Sequence, residues 1–583
     1  MRSATGRPYQ GRSPTWRSYR LWTLRDGVPQ SVQRILESPH AAPRGHATEK
    51  VTIYSHFKLI PNGHSDASVC YLFYAIVPDM SSDVNARSGS ISSRTVIGAG
   101  WLVAWRMVTR ALGLVSTLVL ARILIPADFG LIAMATSFSS SVGALSELGV
   151  SEALVRRQEN ERGHYDTAFT MQAIRGALTG AVIAAGAWAA SNWFHEPRLL
   201  PVMFVLAALA ITSGFENIGI IEFRRSLRFD MEFRLLFLPR IVGFCTTIAM
   251  AWLLRSFWAL LIGITAGQLM RVVMTYVVHP YRPCLTLSHW RDLVGFSFWT
   301  WATSLAVLVW DRLDAFVLGP VLGPAKLGVY MIAAEIATMP ITELVAPASS
   351  ALFPGLSAAQ QHGTNPIGLA FSVTSTMLLI VVPLTIGVSA TSGYVVAALL
   401  GPNWEAAQPL IAIFVWLCLM SPFSWVCMIV LRATGAVRQH FVAIAAAAAF
   451  KIVIFYGVVQ TGGRLEVAAA AGVVCSAVEC GLFLQQLRKI GDTRWRESLG
   501  GLLRITASGA FATGVLVASG LGWQSVSMSS VPALLVGGAI GLVTIVLFVA
   551  AQLALWWGSG RPEGPEHRML GLVTEALTLL KSR

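Results

Sequence analysis

The stretch ILIPADFGLIAMA at residues 123–135 decides the fold, because a near copy of it, VLGPAKLGVYMIA, occurs at residues 321–333. The second copy begins 198 positions after the first, and Trp101 and Trp299 are separated by the same distance. Such a repeat predicts two copies of one structural unit within the chain. The identical pairs are Leu124 with Leu322, Pro126 with Pro324, Ala127 with Ala325, Gly130 with Gly328, and Ala135 with Ala333.

The composition is that of a membrane protein. Of the 583 residues, 54% are apolar and only 13% are charged, whereas a soluble globular chain carries roughly 25% charged residues. A membrane-spanning helix needs about 20 mainly apolar residues, and such windows recur from residue 96 almost to the C-terminus. We predict an all-α, polytopic protein of about 14 spans, at 96–121, 129–150, 168–190, 199–222, 235–254, 256–278, 293–319, 328–352, 367–391, 409–431, 441–459, 466–487, 500–521 and 531–556.

The basic residues of the loops predict the orientation, since Lys and Arg are retained on the cytoplasmic side. The loops between the predicted spans lie alternately on the two sides of the membrane. When the segments before the first span and after the last span are included, one side carries 21 basic residues and the other carries five. We therefore expect both ends of the membrane region to be cytoplasmic. This asymmetry also accounts for most of the net charge of +14, so no nucleic-acid partner is indicated. The minority set is Arg122, Arg198, Arg255, Lys326 and Arg464.

The chain divides into five predicted regions. The N-terminal extension is polar and Arg-rich, and we expect it to be either a disordered cytoplasmic segment or sequence upstream of a natural start at Met80. We favour the second alternative. The regions are the extension at 1–95, a first six-helix lobe at 96–278, a second at 293–487, two further helices at 500–556, and a cytoplasmic tail at 557–583.

The two copies of the repeat lie at equivalent positions in the predicted lobes, with six spans between them. An even number of spans gives both copies the same orientation in the membrane, as in transporters built from parallel repeats. We expect Pro126 and Pro324 to mark helix boundaries in short extracytoplasmic turns, because proline cannot continue a helical hydrogen-bond ladder. Gly130 and Gly328 would then let the following helices pack closely.

Three stretches carry a resemblance to a known family: LARILIPADFGLIAMA, WDRLDAFVLGPVLGPAKLGVYMIAAE and LLGPNWEAAQPLI. In order and spacing they resemble the polysaccharide flippases of the multidrug/oligosaccharidyl-lipid/polysaccharide exporter superfamily, over about residues 96–490. The resemblance implies two pseudo-symmetric six-helix bundles around a central cavity that opens alternately to the two sides. It also implies a substrate, an oligosaccharide repeat unit on a polyprenyl diphosphate, in a bacterial inner membrane.

Ionised residues inside the predicted spans are too numerous to face lipid, because each costs about 2.5–3.5 kcal/mol at the membrane centre. We expect them to line a wet cavity or to pair with one another. They are Arg106, Arg110, Glu147, Arg175, Glu216, Arg240, Arg271, Asp311, Arg312, Asp314, Glu335, Glu343 and Lys451.

Arg106 and Arg110 are four residues apart and therefore share one helix face, which Gly113 continues. Guanidinium groups form bidentate, charge-assisted hydrogen bonds to phosphate oxygens, so this face is a candidate diphosphate-binding site. The alternative is that one of the two arginines extends to the membrane surface or forms a structural pair with Glu147. We predict a diphosphate-binding set of Arg106, Arg110, Arg175, Arg240 and Arg312.

Acidic residues dominate the second predicted lobe. Asp311 and Asp314 are three residues apart, and two neighbouring carboxylates in a low dielectric favour the uptake of a proton by one of them. The alternative is an ion pair with Arg106 or Arg110 across the lobe interface, and the two interpretations are compatible. For ion coupling or gating we predict Glu147, Asp311, Asp314, Glu335 and Glu343, with a helix bend at Pro340 between the last two.

Several chemistries have no motif in the sequence. There is no GxxxxGK[ST] phosphate loop, no HExxH and no Cys/His cluster, so we predict no catalytic residue, no metal and no cofactor. Besides the flippase, we considered a multidrug cation antiporter, against which the basic residues of the first lobe argue. A polymerase or ligase usually needs a longer extracytoplasmic loop than the 17 residues at 392–408. The expected partners are the lipid-linked oligosaccharide, membrane lipids and polysaccharide assembly proteins, with the chain a monomer.

Overall fold

The computed structural model describes most of the membrane region. The described residues are 115–146, 161–225, 228–293, 298–345, 366–489, 495–526, 528–562 and 564–571, with isolated positions 109, 112, 113, 154 and 574. Below, the first half means residues 115–293 and the second half means residues 298–489. The predicted N-terminal extension lies outside the described residues.

The described residues form helices joined mostly by short turns. A helical stretch at 115–123 precedes the first labelled helix. In the first half the long helices are α1 (Pro126–Leu145), α2 (Arg162–Trp193), α3 (Leu199–Ser213), α4 (Phe229–Leu254) and α5 (Trp258–Val278). The second half contains α6 (Phe298–Ala337), α7 (Pro366–Ala390), α8 (Ala407–Phe414), α9 (Leu417–Ala433), α10 (Val437–Gln460) and α11 (Leu465–Arg488). Two helices follow, α12 (Trp495–Ser519) and α13 (Ser530–Gly558).

Eight helices in the described part of the chain are long and apolar enough to cross a membrane, or nine if α8 and α9 count as one span bent by 41°. The predicted all-α, polytopic membrane class is therefore confirmed. The total of about 14 spans and the five domain boundaries stay predictions, since parts of several predicted spans lie outside the described residues.

The repeat forms the same local structure in both halves. In the first half, Ile125 is extended (φ −91°, ψ 157°) and Pro126 is the first residue of α1. The equivalent position in the second half is Gly323, which interrupts α6 with φ 71° and ψ 172° immediately before Pro324. A positive φ is easily adopted only by glycine. Both prolines therefore begin a helix after a break, as the sequence predicts.

The two copies of the repeat pack against each other. A β-carbon placed on Gly130 would lie 1.8 Å from the carbonyl oxygen of Pro324, and one placed on Gly328 would lie 1.9 Å from that of Pro126. The contact is reciprocal, as expected when two equivalent elements meet about a pseudo-two-fold axis. Glycine is required at both positions because any side chain would occupy the space of the facing backbone.

The largest buried core surrounds this contact and contains residues from both halves. Leu131 and Met134 of α1 are completely buried, as are Leu327 of α6 and Trp404, and Tyr330 is 1% exposed. At the same end, a β-carbon on Gly319 would lie 2.5 Å from the ring of Phe194. Close packing of this kind leaves little freedom for either half to shift without losing dispersion contacts.

The two C-terminal helices pack on each other and on α7, and a buried ion pair fastens the segment that follows them. Arg504 of α12 donates to both carboxylate oxygens of Glu566, at 2.7 and 3.1 Å. Gln552 of α13 donates to the same carboxylate at 2.8 Å. The residues after α13 are thus held against both helices.

Substitution of Gly130 by leucine tests the contact between the repeats. We expect Gly130→Leu to lower the free energy of unfolding by about 1–3 kcal/mol or more, because its side chain must displace the backbone at Pro324. The matched control is Gly143→Leu on the same helix, where a β-carbon would meet nothing within 4 Å. Thermal unfolding of the purified proteins in detergent compares them. Equal midpoints for the two variants would show that the close approach is unnecessary.

Candidate functional site

One face of the helical stretch before α1 is directed at both halves. Gly113 and Thr117 are four residues apart and lie on this face. A β-carbon on Gly113 would lie 3.3 Å from Nη2 of Arg240, which belongs to α4 in the first half. The hydroxyl of Thr117 donates to Oε1 of Glu335, which belongs to α6 in the second half, at 3.5 Å. This face therefore contacts residues of both halves.

Three predicted site residues, Arg106, Arg110 and Glu147, lie outside the described residues. By sequence spacing, Arg106 and Arg110 would share the face of Gly113 and Thr117 if the same helix continues towards the N-terminus. The contact between Gly113 and Arg240 would then place Arg240 next to the helix face on which Arg106 and Arg110 are expected. Their joint role stays a prediction.

Arg175 and Arg312 have different surroundings. Arg175 is half-buried on α2, next to Gly176, whose close approach to Gly214 joins α2 to α3. Arg312 is exposed on α6 and lies within electrostatic range of Asp311. Arg312 therefore accompanies the acidic residues of the second half, and its predicted place in the diphosphate set is untested.

Asp314, which is half-buried, forms an ion pair with a buried lysine of a different helix. Nζ of Lys451, on α10, lies 2.5 Å from Oδ1 of Asp314 and donates to the carbonyl oxygen of Trp310 at 2.8 Å. The hydroxyl of Tyr330 donates to the other carboxylate oxygen at 3.1 Å. Both oxygens of Asp314 thus have a polar neighbour within the second half. A charge removed from water is stable only when it is paired and hydrogen-bonded in this way.

Two more carboxylates lie within electrostatic range of the same lysine. Asp311 interacts electrostatically with Lys451 and with Asp314. Glu479, on α11, interacts with Lys451 and Asp311. Glu479 is not among the residues predicted from the sequence, although a single carboxylate in the middle of an apolar helix is a sufficient signal. We call Asp311, Arg312, Asp314, Lys451 and Glu479 the charge group.

Glu335 and Glu343 flank the predicted bend in α6. The α-helix ends at Ala337, and residues Ile341–Val345 form a π-helical turn that contains Glu343. Both glutamates are exposed, and Thr342 donates to Glu343 at 3.1 Å. The helix is therefore irregular on both sides of Pro340, although a gating role for either glutamate is untested.

Glu216 and Arg271 show that part of the intramembrane charge is structural. Nε of Arg271 lies 3.0 Å from Oε1 of Glu216, to which Gln268 also donates at 3.0 Å. Gln172 of α2 donates to the backbone carbonyl of Glu216 at 3.1 Å. This network joins α2, α5 and the segment after α3, so these two charges pair with one another, one of the two outcomes expected from the sequence.

The halves are joined at the Pro126 end, which we define as residues 121–130, 193–199, 316–328 and 396–407. Arg122 reaches from the first half to the second, where its Nε donates to the carbonyl of Leu399 at 3.4 Å and its Nη2 to those of Ala397 and Ala398. In the opposite direction, Nε1 of Trp404 in the second half donates to the carbonyl of Ala121 in the first half at 2.8 Å. The sequence predicts that this end is extracytoplasmic.

The linker after α5 is bound to the start of α2. The backbone N–H of Cys284 and the hydroxyl of Tyr281 both donate to Asp166, the former at 2.8 Å. Thr170 accepts from the N–H of Thr286 at 2.9 Å. Burial and the neighbouring carboxylate raise the pKa of Tyr281. This segment, which connects the two halves, is thereby fixed to one of them.

Glu161, His164 and His289, at the same place, have ligand atoms within 4.8 Å of one another. The N–H of Glu161 already donates to Nδ1 of His164 at 3.3 Å. The trio lies at the N-terminus of α2, where the helix dipole disfavours a cation. His164 and His289 also connect the linker to α2, because their ring centroids are 4.4 Å apart; the absence of a metal site stays a prediction.

Comparison with known proteins identifies what the chain is similar to. Residues 119–409 match the family described as "Polysaccharide biosynthesis protein". The chain is 23% identical over 334 residues to the lipopolysaccharide biosynthesis protein WzxC of Escherichia coli (strain K12), with 55% of this chain and 66% of that protein covered. It is also 23% identical over 333 residues to the succinoglycan biosynthesis transport protein ExoT of Rhizobium meliloti (strain 1021), with 56% and 66% covered.

Among solved structures, the chain resembles the lipid II flippase MurJ in an inward closed conformation. The TM-score is 0.62 at 12% sequence identity, and the match covers 77% of this chain and 98% of that one. At this identity the similarity establishes the fold. The sequence matches span 66% of the length of each of the two curated relatives named above.

Replacement of Arg122 tests whether its hydrogen bonds hold the Pro126 end closed. We expect Arg122→Ala to increase the rate at which a cysteine at Leu400, which is 1% exposed, reacts with a membrane-impermeant maleimide. The increase should be up to about tenfold, since the partly exposed guanidinium contributes about 1.4 kcal/mol. The exposed Cys245 and Cys284 are replaced by serine beforehand. Lys326→Ala, which removes one exposed charge at the same end, is the control and should not change the rate. An unchanged rate in Arg122→Ala would show that its hydrogen bonds do not hold the Pro126 end closed.

Proposed function

Residues 119–409 match the polysaccharide biosynthesis family, and on this premise we propose that the chain is a member of the multidrug/oligosaccharidyl-lipid/polysaccharide exporter superfamily that flips lipid-linked oligosaccharides. The substrate is an oligosaccharide repeat unit on a polyprenyl diphosphate. It enters from the cytoplasmic leaflet and leaves in the outer leaflet, where the oligosaccharide is used for a surface polysaccharide. Alternating access between two openings provides the pathway.

The observation that carries the proposal is the position of Arg240 beside Gly113. Glycine leaves room for the guanidinium to lie against the helix, and the same face is expected to hold Arg106 and Arg110. Three arginines from two helices would then converge on one side of the space between the halves. A cavity for organic cations would place carboxylates there instead, since like charges repel the ligand.

The chemistry of arginine suits a diphosphate at this place. The guanidinium is always charged, less strongly hydrated than an ammonium, and able to form two parallel hydrogen bonds to phosphate oxygens. A diphosphate carries two phosphoryl groups and needs several donors to replace the water it loses. Because the arginines bind the diphosphate and not the sugars, the glycan can vary without loss of binding. This fits a substrate whose sugar part is large and flexible.

The contacts at the Pro126 end define one side of the transport cycle. If this end is extracytoplasmic, the described state is closed to the outside, with the arginine face approached from the cytoplasm. Opening requires the Gly130–Gly328 contact and the Arg122 hydrogen bonds to separate. Both are local contacts between the halves, so a rigid-body rotation of one half can break them together.

The orientation is tested by cysteine accessibility in intact cells. We expect a cysteine at the exposed Lys326 to react with an impermeant maleimide from outside, and one at the exposed Lys489 to react only after permeabilisation. The reason is the retention of the basic loops on the cytoplasmic side. Both variants carry serine at Cys245 and Cys284. The reverse pattern would place the Pro126 end in the cytoplasm and invert the cycle described above.

The function itself is tested in a strain that lacks the gene. We expect loss of a surface polysaccharide, with complete repeat units accumulating on polyprenyl diphosphate in the cytoplasmic leaflet. Wild type should restore export, whereas Arg106→Ala/Arg110→Ala and Arg240→Ala should reduce it by about tenfold or more, since a charge-assisted hydrogen bond contributes about 1.5–3 kcal/mol.

The matched control is Arg464→Ala, an exposed arginine at the start of α11, which should restore export fully. Membrane levels of every variant are measured alongside. Normal polysaccharide in the deletion strain, together with altered drug sensitivity, would replace the proposal with an efflux function. Single repeat units stranded in the outer leaflet would indicate a polymerase.

A further inference from the structure

Two opposite charges, one from each half, lie one turn apart on the helical stretch before α1. Nη2 of Arg240, in the first half, would be 3.3 Å from a β-carbon on Gly113. Oε1 of Glu335, in the second half, accepts from the hydroxyl of Thr117 at 3.5 Å. Four residues of an α-helix rise about 6 Å, so the guanidinium and the carboxylate meet neighbouring positions of one face. Opposite charges on adjacent turns attract each other, most strongly where water is excluded.

The guanidinium of Arg240 is available to an anion. In the part of the chain that the structure describes, Arg240 forms no ion pair with a carboxylate, whereas Arg271 of the same half is paired with Glu216 at 3.0 Å. A charged side chain among membrane-spanning helices is costly unless it has water or a partner. The face of Gly113 and Thr117 that Arg240 contacts, which we call the arginine face, therefore attracts negative charge from a ligand or from the other half.

Glu335 lies on the side of α6 that meets the first half. It follows Gly328 by seven residues, which places both on one face of the helix, and Gly328 packs against the backbone carbonyl of Pro126. Both residues lie after the break at Gly323, whereas the α6 members of the charge group lie before it. The bond from Thr117 to Glu335 thus links the two halves through the same helix segment that closes the Pro126 end.

We propose that Glu335 is an internal anion of the arginine face, which the diphosphate of the substrate displaces. The inference rests on the proposed function, because it concerns how the same face responds to its ligand. A diphosphate bound by Arg240 brings negative charge next to the carboxylate of Glu335, and like charges at this distance repel each other. Glu335 then leaves Thr117, and one link between the halves is lost.

The consequence is that the substrate itself favours opening of the Pro126 end. Without substrate, Glu335 stays on the arginine face and joins α6 to the first half. With substrate, the segment of α6 that carries Gly328 loses this support. The ligand therefore binds the opened arrangement better than the closed one, which is the condition for a ligand to shift a conformational equilibrium.

Binding of inorganic diphosphate to the purified full-length protein tests the displacement. We expect Glu335→Gln to bind diphosphate about tenfold more tightly than wild type, a coupling of ordinary size, because the competing charge is gone. Glu335→Asp, which keeps the charge, should bind like wild type, and Arg240→Ala should bind more weakly. Glu466→Gln, which removes an exposed glutamate in the first turn of α11, is the control and should not change the affinity. Calorimetric titration without divalent cations measures all five proteins.

Maleimide labelling of Leu400→Cys at the Pro126 end, with serine at Cys245 and Cys284, tests the coupling between the halves. Diphosphate should raise the labelling rate about fivefold or more when Glu335 is present. In Glu335→Gln, diphosphate should bind but no longer raise the rate, because the neutral amide is not repelled and can still accept from Thr117. A glutamate with a merely structural role would not combine tighter binding with loss of the response.

Unchanged diphosphate affinity in Glu335→Gln would overturn the inference, as would an equal rise in labelling with and without Glu335, or no diphosphate binding by wild type. Gel filtration shows whether each variant is folded. If Glu335→Gln does not fold, Thr117→Val replaces it and should also bind diphosphate more tightly, since the bond that holds Glu335 is lost.

Failure of the proposed function is distinguishable from failure of the inference. Diphosphate binding that is weakened in Arg240→Ala but unchanged in Glu335→Gln would overturn the inference alone. Normal surface polysaccharide in the deletion strain would overturn the proposed function, and with it the transport role of Glu335.

Discussion

The reciprocal contact between Gly130 and Gly328 is the constraint on which the rest of the structure depends. Each glycine faces the carbonyl of a proline that begins the other helix, so α1 and the second part of α6 approach at backbone distance. That approach fixes the two halves relative to one another and buries Leu131, Met134 and Leu327 around it. It is held by packing more than by hydrogen bonds, and packing contacts between rigid elements can separate and reform as a unit.

The two halves share a backbone motif but not a chemistry. The offset of 198 positions pairs Arg106 with Ser304, Arg110 with Leu308, and Gly113 with Asp311. Residues 106–113 contain arginines where residues 304–311 have apolar or small polar residues, and the later stretch has a carboxylate where the earlier one has glycine. The repeat thus gives both halves the same backbone motif, while the charged residues near it differ between the two copies.

The sequence predicted the helical membrane class, the helix breaks at Pro126 and Pro324, and the need for glycine at the close approach, because each follows from local chemistry. It did not predict that Lys451 would be the partner of Asp314, nor did it single out Glu479. The reason is physical: these helices are apolar on nearly all faces, so periodicity does not show which face meets which neighbour. Long-range pairing between α6, α10 and α11 depends on tertiary packing, and only the structure supplies it. The roles assigned to Arg106, Arg110 and Glu147 stay predictions, since these residues lie outside the described part of the chain.

Transport by purified protein tests the central claim most directly. The full-length chain is reconstituted into vesicles with a fluorescent polyprenyl-diphosphate oligosaccharide, and the fraction of substrate exposed on each leaflet is followed with a reagent that cannot cross the membrane. Our account predicts that the protein equilibrates the substrate between leaflets, and that inorganic diphosphate in excess slows the process by competing for the arginine face. Equal leaflet exchange in vesicles with and without the protein would contradict it.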